Sequence, residues 1–273
     1  MQIKLIATDL DGTLMSPDHM TITDFTLETL KKAHDKGVKI AISTGRPLSL
    51  TDSVIKQIPF ADYIIYGNGS CIFDLKKKMK IYSDLISNND AVKIIEYLLS
   101  KELFFEIYID GKSHYQLGCE KYFSNTDMPD EFIDEVIKSL NGHSSLIEYL
   151  GNKDIEKITL YSVKDSEYQI FKSRLDDMGF STASSFKGNL EATSKTADKG
   201  SALRALSELL HITADEIMSF GDEGNDIPML SFAKYSFAMG NASDDCKKAA
   251  RFTAKSNADD GLAAAVCEYV LNM

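Results

Sequence analysis

Two aspartates separated by a single residue, Asp9 and Asp11, close the apolar run KLIATDLDGTL near the start of the chain. In an extended strand alternate side chains share a face, so the two carboxylates are directed into one small volume, where they repel each other. Three further polar clusters stand out: Thr44, Gly45 and Arg46 in STGR, Lys199 in DKG, and Asp222, Asn225 and Asp226 in GDEGND. Collected in one basin, four carboxylates would raise one another's proton affinity unless a cation neutralised them. All-oxygen donors favour a hard ion, and Mg2+ suits one or two carboxylates that share it with a phosphate. Tethered by Asp9 and Asp222 beside a phosphate, such an ion leaves Asp9 as a carboxylate nucleophile and Asp11 to move protons. The Thr44 hydroxyl, the Gly45 amide and the Lys199 ammonium then supply donors to the phosphoryl oxygens, which is electrostatic stabilisation of the transferred group.

The elements that must position these residues are legible as alternation. IKLIATDL reads as a buried strand, TDFTLETLKKAHDKG as a helix capped by Thr23 and stopped at Gly37, VKIAIST as a strand, PLSLTDSVIKQI as a helix, and ADYIIYGNG as a third strand. The same rhythm returns in DKGSALRALSELLHI, EIMSFGD, NDIPMLSFA, KYSFAMG and DDCKKAARF. Strand and helix in alternation imply right-handed crossovers and a parallel sheet, and ligands bind outside the carboxyl ends of such strands, where each polar cluster falls. Between these halves the texture changes: LFFEIYIDGKSHYQL, IEKITLYSV and FSTASSFKGNLEAT read as solvated strands and hairpins, with turns at Asp110-Gly111 and Lys187-Gly188. Helices NDAVKIIEYLLSK, PDEFIDEVIKSL and SEYQIFKSRLDDM are interleaved with them. The expected fold is therefore α/β: a Rossmann-like doubly wound parallel-sheet core over 1–83 and 190–273, with an inserted α+β cap over 84–189.

Composition bounds the partners. The 273 residues are 44% hydrophobic and 26% charged, an ordinary globular balance, with a net charge of −11 that repels nucleic acid and anionic bilayers. Any anionic ligand must be drawn by a local positive site. Cys71, Cys119, Cys246 and Cys267 are far apart, with no C-x-x-C pair, and read as reduced thiols. No apolar run reaches the roughly 20 residues of a membrane span, and no leader-like segment is visible, so a cytoplasmic protein is expected.

In order and spacing, DLDGT, STGR, DKG and GDEGND, with the long insert between the second and third and the tail FAMGNASDDCKKAARFTAKSNADDGLAAAV, resemble the haloacid dehalogenase superfamily and specifically its Cof-type phosphatases. The likeness covers the whole chain, and no motif departs from the pattern. It implies that Asp9 is the nucleophile that becomes an aspartyl phosphate and that Asp11 protonates the leaving oxygen and then activates water. It implies Mg2+ held by Asp9, the Asp11 carbonyl and Asp222, with Asp226 in support. Thr44, Gly45, Lys199 and Asn225 would bind the phosphate, while Arg46 could reach the substrate or brace the cap. The implied partner is a small phosphorylated metabolite, such as a sugar phosphate, handled by a monomer or small homo-oligomer.

Competing readings are weaker. An aspartate-rich calcium loop requires Gly at its sixth position and Glu at its twelfth, where this chain has Leu14 and Met20. GNG at 67–69 lacks the last glycine of a dinucleotide fingerprint and leads into the strand-like SCIFD, so it reads as a turn. The lysines at 76–78 and Lys80 read as a hairpin rim, and the five histidines as structural or surface residues. Tyr108, Tyr115 and Tyr122 of the insert could line a pocket but read first as cap core or surface. The functional alternatives are a phosphomutase of the same superfamily and a non-catalytic phosphometabolite-binding protein.

Overall fold

The computed structural model describes residues 2–123, 137–185 and 188–272. Strands β1 (Leu5–Thr8), β2 (Lys39–Ser43), β3 (Tyr63–Tyr66), β12 (Ile217–Gly221), β13 (Tyr235–Ala238) and β14 (Phe252–Thr253) are parallel neighbours in one sheet. β4 (Cys71–Asp74) and β5 (Met79–Ser83) extend it antiparallel, giving the order β14-β13-β12-β1-β2-β3-β4-β5. The central strands are apolar because both faces are covered. Alternate residues serve opposite layers: Ile6, Ile40, Ile42, Met218 and Phe220 join one hydrophobic cluster, and Leu5, Ala7, Ala41 and Ile217 another.

Helix α1 (Asp24–Asp35) packs Leu30 and Ala33 into the first cluster and opens where Thr23 accepts a hydrogen bond from the Thr26 amide, as the sequence predicts. α2 (Asp52–Gln57) begins later than Pro47, after a 3-10 turn over Leu48–Thr51. Lys76, Lys77 and Lys78 lie on the turn joining β4 and β5, where the basic run was expected.

The insert builds its own sheet, ordered β10-β11-β9-β6-β7-β8, from β6 (Phe104–Ile109), β7 (Lys112–Gln116), β8 (Asn141–His143), β9 (Lys157–Tyr161), β10 (Ser181–Ala183) and β11 (Leu190–Thr193). The β6–β7 turn falls on Asp110 and Gly111, both at positive φ as a two-residue hairpin of this type requires. The division expected at residue 190 is not where the sheets part: β11 pairs with β9 and β10, so Leu190–Thr193 belongs to the second sheet. The expected helix PDEFIDEVIKSL lies largely outside the described residues, as does Lys187 of the second turn.

Helices α3 (Asn88–Leu99), α4 (Leu146–Leu150) and α5 (Asp165–Asp177) cover one face of this sheet, where Ile94, Leu98, Leu146 and Phe171 pack on Phe105, Ile107, Ile158 and Leu190. The opposite face carries Glu106, Tyr108, Lys157, Thr159, Glu191 and Thr193, all buried. These strands are therefore not the solvated ones expected; their polar face is closed over by the first sheet's loops. There Tyr66 donates to Glu156 Oε1 at 2.9 Å, Ser70 Oγ to the Glu156 carbonyl at 2.5 Å, and the Ser49 amide to the Gly111 carbonyl at 2.8 Å. Tyr108 reads correctly as buried, its hydroxyl donating to Glu106 at 3.0 Å. Among the described residues no helix is long and apolar enough to cross a membrane.

Helix α6 (Lys199–Leu209) starts against the turn after β3, where Asp198 caps it by accepting from the Ser201 amide at 2.6 Å. Gly69 permits this approach: it has φ +95°, and a Cβ there would stand 2.1 Å from the Asp198 carbonyl oxygen. Gly69→Ala combines a left-handed conformation with a backbone clash, so we expect it to cost about 2 kcal/mol or more. A urea midpoint unchanged from the parent protein would contradict this packing.

Candidate active site

Asp9 follows the last residue of β1, and Asp222 the last of β12, the neighbouring parallel strand. The pairing fixes the separation of the two carboxylates, and a short turn over Gly224–Asp226 returns Asp226 beneath them. Carboxylate oxygens of Asp9, Asp222 and Asp226 all lie within 4.8 Å of one another, and all three residues are buried. The sequence was right to bring these strand ends together; why they tolerate one another depends on the partners below.

Lys199 enters from the first turn of α6 and is fully buried. Its ammonium donates to Asp9 Oδ1 at 2.5 Å and to Asp226 Oδ1 at 2.6 Å. The other Asp226 oxygen accepts from the amides of Asp222 at 2.9 Å and Glu223 at 3.1 Å, which makes it a strut between loop and helix. Thr13 donates to Asp222 Oδ1 at 2.5 Å. Burial, and then Asp226 beside it, raise the proton affinity of Asp9 well above the usual carboxylate range despite Lys199. The same two causes push Asp222 up to about 7. Lys199 itself is raised: burial opposes its charge, but Asp226 and Asp9 outweigh it.

The chain must pass close to Asp222 to deliver Asp9 and Asp11. At Gly12, φ is +77° and a Cβ would lie 2.2 Å from Asp222 Oδ2, so only glycine fits. Asn241 holds this turn by donating to the Gly12 carbonyl at 2.8 Å. Asp11 does not share the carboxylate cluster. It receives Arg46 Nε at 2.9 Å and Nη2 at 2.6 Å in a bidentate pair, with His19 Nδ1 at 3.2 Å. Burial alone would push Asp11 up, but Arg46 and His19 together hold it at about 2. Arg46 thus bonds Asp11 and the His19 carbonyl, all on the first sheet's side.

Thr44 and Gly45 follow β2, and the Thr44 hydroxyl accepts from the Arg46 amide at 3.1 Å. Asn225 donates through Nδ2 to Asn68 Oδ1 at 3.1 Å and to Ser185 Oγ, from the insert, at 3.3 Å. Next to Lys199 and Asn225 opens a cleft of about 100 Å3, bordered by Asn68, Ser181, Thr182 and Glu191. Asp9, Asp11, Thr44, Gly45, Arg46, Lys199, Asp222, Asn225 and Asp226 therefore lie at the strand ends of the first sheet or within a bond of residues that do, whereas Tyr108, Tyr115 and Tyr122 belong to the insert. Sequence reasoning missed Thr13, Asn68, Lys157, Ser185 and Glu191. Only Asn68 carried a local signal: the GNG turn, whose three residues all take positive φ, offered a side chain at the β3 end.

A family model described as haloacid dehalogenase-like hydrolase matches residues 6–266. Among curated proteins, the 5-amino-6-(5-phospho-D-ribitylamino)uracil phosphatase YwtE of Bacillus subtilis is 29% identical over 96% of each chain. The putative phosphatase YxeH of the same organism is 30% identical over 98% of each. Among solved structures, the subclass IIB sugar phosphatase BT4131 superposes with a TM-score of 0.80 at 25% identity, covering 97% of this chain and 98% of that one. The motifs, the mostly parallel sheet with a second sheet inserted mid-sequence, and these matches agree: the chain belongs to the haloacid dehalogenase-like hydrolases and is a Cof-type, subclass IIB phosphatase with a cap.

Proposed function

We propose that this phosphatase is a Mg2+-dependent hydrolase of small phosphorylated metabolites, sugar or polyol phosphates, that works through an aspartyl phosphate on Asp9. The observation that carries the reading is the buried cluster of Asp9, Asp222 and Asp226, with a single ammonium, that of Lys199, bonded to two of the three. Three carboxylates against one cation leave two negative charges, and the raised proton affinities of Asp9 and Asp222 follow from burial and then from that imbalance. An all-oxygen, doubly negative, buried donor set fits a hard dication. Asp9, Asp222 and the Asp11 carbonyl would hold Mg2+, supported by Asp226. Bound there, the ion supplies Lewis-acid polarisation of a phosphoryl oxygen and neutralises its charge.

The chain's own residues divide the remaining work. Lys199 grips Asp9 Oδ1, which orients Oδ2 for attack on phosphorus. The P–O bond to the leaving group breaks, and the departing oxygen takes a proton from Asp11. Acting as acid requires that substrate separate Asp11 from Arg46, because beside the guanidinium it stays ionised at neutral pH. Asp11 then accepts a proton from water, which attacks phosphorus, releases inorganic phosphate and frees Asp9. The Thr44 hydroxyl, the Gly45 amide, Lys199 and Asn225 donate to the phosphoryl oxygens; Asn225 exchanges one of its present bonds to do so.

The insert, beginning near residue 84 and running through β11, selects the ester. Phosphate is common to every phosphomonoester and the metal to every turnover, so discrimination falls to side chains facing the cleft from the second sheet, Ser181 and Thr182 among them. Hydroxyl groups suit a polyhydroxylated leaving group. The names of two relatives are consistent with this, one a phosphatase of a phosphoribityl compound and the other a sugar phosphatase.

Asp9→Asn removes the nucleophile and one charge toward the metal while preserving shape, so we expect turnover of a phosphate-ester panel to fall roughly 10³-fold or more. Release of inorganic phosphate at near wild-type rates by that variant would refute the mechanism. A second expectation concerns the fold. Asp222 has its folded proton affinity raised to about 7, against an ordinary value near 4, so between those limits the folded state binds more protons than the unfolded one and stability falls as pH rises. Thermal melts of EDTA-treated protein should therefore drop from about pH 5 to 7.5, and added Mg2+ should restore Tm most at the upper end. An Mg2+ effect equal at both pH values would contradict the assignment.

A further inference from the structure

Lys157 of β9 and Glu191 of β11 are fully paired charges buried on the polar face of the inserted sheet, with side chains only 1% and 6% exposed. Burying such a pair does not favour stability by itself, because well-packed apolar residues in its place are often neutral or better. What the two side chains touch offers the reason. Lys157 Nζ donates across the boundary to the Gly45 carbonyl at 2.8 Å. That carbonyl belongs to the peptide whose N–H, on Arg46, donates to Thr44 Oγ1. Lys157 therefore pins this peptide plane from the insert side, and the Thr44 hydroxyl, having accepted one bond, keeps its proton for an anion. Glu191 Oε2 accepts from Asn68 Nδ2 at 2.7 Å and from Ser185 Oγ at 2.9 Å. Asn68 Oδ1 in turn receives Asn225. The two branches meet at Gly45, where a Cβ would come within 2.8 Å of Asn68 Oδ1 and 3.4 Å of Lys157 Nζ.

We propose that Lys157 and Glu191 are positioning residues that form a closure latch: seated against the first sheet, they set Thr44, Gly45 and Asn225 in the geometry that receives a phosphoryl group. The inference rests on the phosphate-binding role assigned above to those three residues. With the insert lifted, both charges return to water and the 44–46 loop and Asn68 lose the bonds the insert makes to them; with it seated, the donors are ordered before phosphorus is attacked. Assembly of the cradle is thus tied to closure and not to which ester is bound.

That independence is the test. Lys157→Met and Glu191→Gln, singly and together, are assayed with p-nitrophenyl phosphate and with the best sugar phosphate of the panel, well below each variant's melting temperature. We expect each single substitution to lower kcat about 10-fold or more, by the same factor for both esters and with a smaller change in KM. The double variant should be little worse than the poorer single one, because the pair acts as a unit. Losses that multiply, a kcat within twofold of wild type, or a loss confined to the sugar phosphate would overturn the latch, the last by making the residues ester contacts. Glu191→Gln keeps volume and most hydrogen bonds, so it carries the test alone if Lys157→Met does not fold. A wild-type enzyme that releases phosphate from neither ester would instead overturn the phosphatase reading beneath the inference.

Discussion

Three carboxylates and one ammonium packed at the ends of two parallel strands are the interaction on which the rest of this structure depends. Asp9, Asp222 and Asp226 repel one another in a site that excludes water, and Lys199 satisfies only two of them. Left so, the cluster shifts toward protonation, as the raised affinities of Asp9 and Asp222 record. The proposed attack by Asp9 at neutral pH needs it ionised, and a dication would reconcile that need with burial. On the proposed mechanism, burial and mutual repulsion together are what make the cluster a seat for a dication.

The fold serves this cluster by fixing backbone before side chains. Parallel pairing of β1 with β12 sets the spacing of Asp9 and Asp222. Close approach is bought with glycine at two points, Gly12 against Asp222 and Gly69 against the start of α6. The helix start matters because Lys199 is its first residue, so the cap at Asp198 also aims the ammonium. Asp11, one residue beyond Asp9's neighbour, escapes the cluster through its ion pair with Arg46. Two acids separated by one residue thereby take opposite proton affinities, each the reverse of what its proposed role needs. On that proposal Asp9 requires a cation to stay ionised, and Asp11 must part from Arg46 to act as an acid.

What the sequence disclosed follows from the range of the forces involved. Strand ends, the α1 cap at Thr23, the hairpin turn at Asp110-Gly111 and the clustered motifs are local, written in periodicity and in residues with special backbone freedom. The burial of β6 on both faces was not, since its alternation of Glu106 and Tyr108 with Phe105 and Ile107 is what a half-solvated strand also shows. The extent of the insert was misjudged for the same reason: Leu190–Thr193 looks like a strand, and only pairing with β9 assigns it to the second sheet. Lys157 and Glu191 are isolated charges in strand-like segments. Their meaning comes from Gly45 and Asn68, 112 and 123 residues away, which no local pattern encodes.

The central claim, that Asp9 carries the phosphoryl group, is tested most directly by chemical trapping. Enzyme mixed with Mg2+ and a turned-over ester is quenched during turnover and treated with borohydride, which reduces an acyl phosphate to the alcohol but leaves a free carboxylate alone. Mass mapping of the digested protein is predicted to find an alcohol in place of the side-chain carboxyl at position 9, absent without substrate and in the Asp9→Asn variant. Reduction at Asp11 or Asp222 instead, or an unmodified Asp9 under conditions where phosphate is being released, would contradict the account.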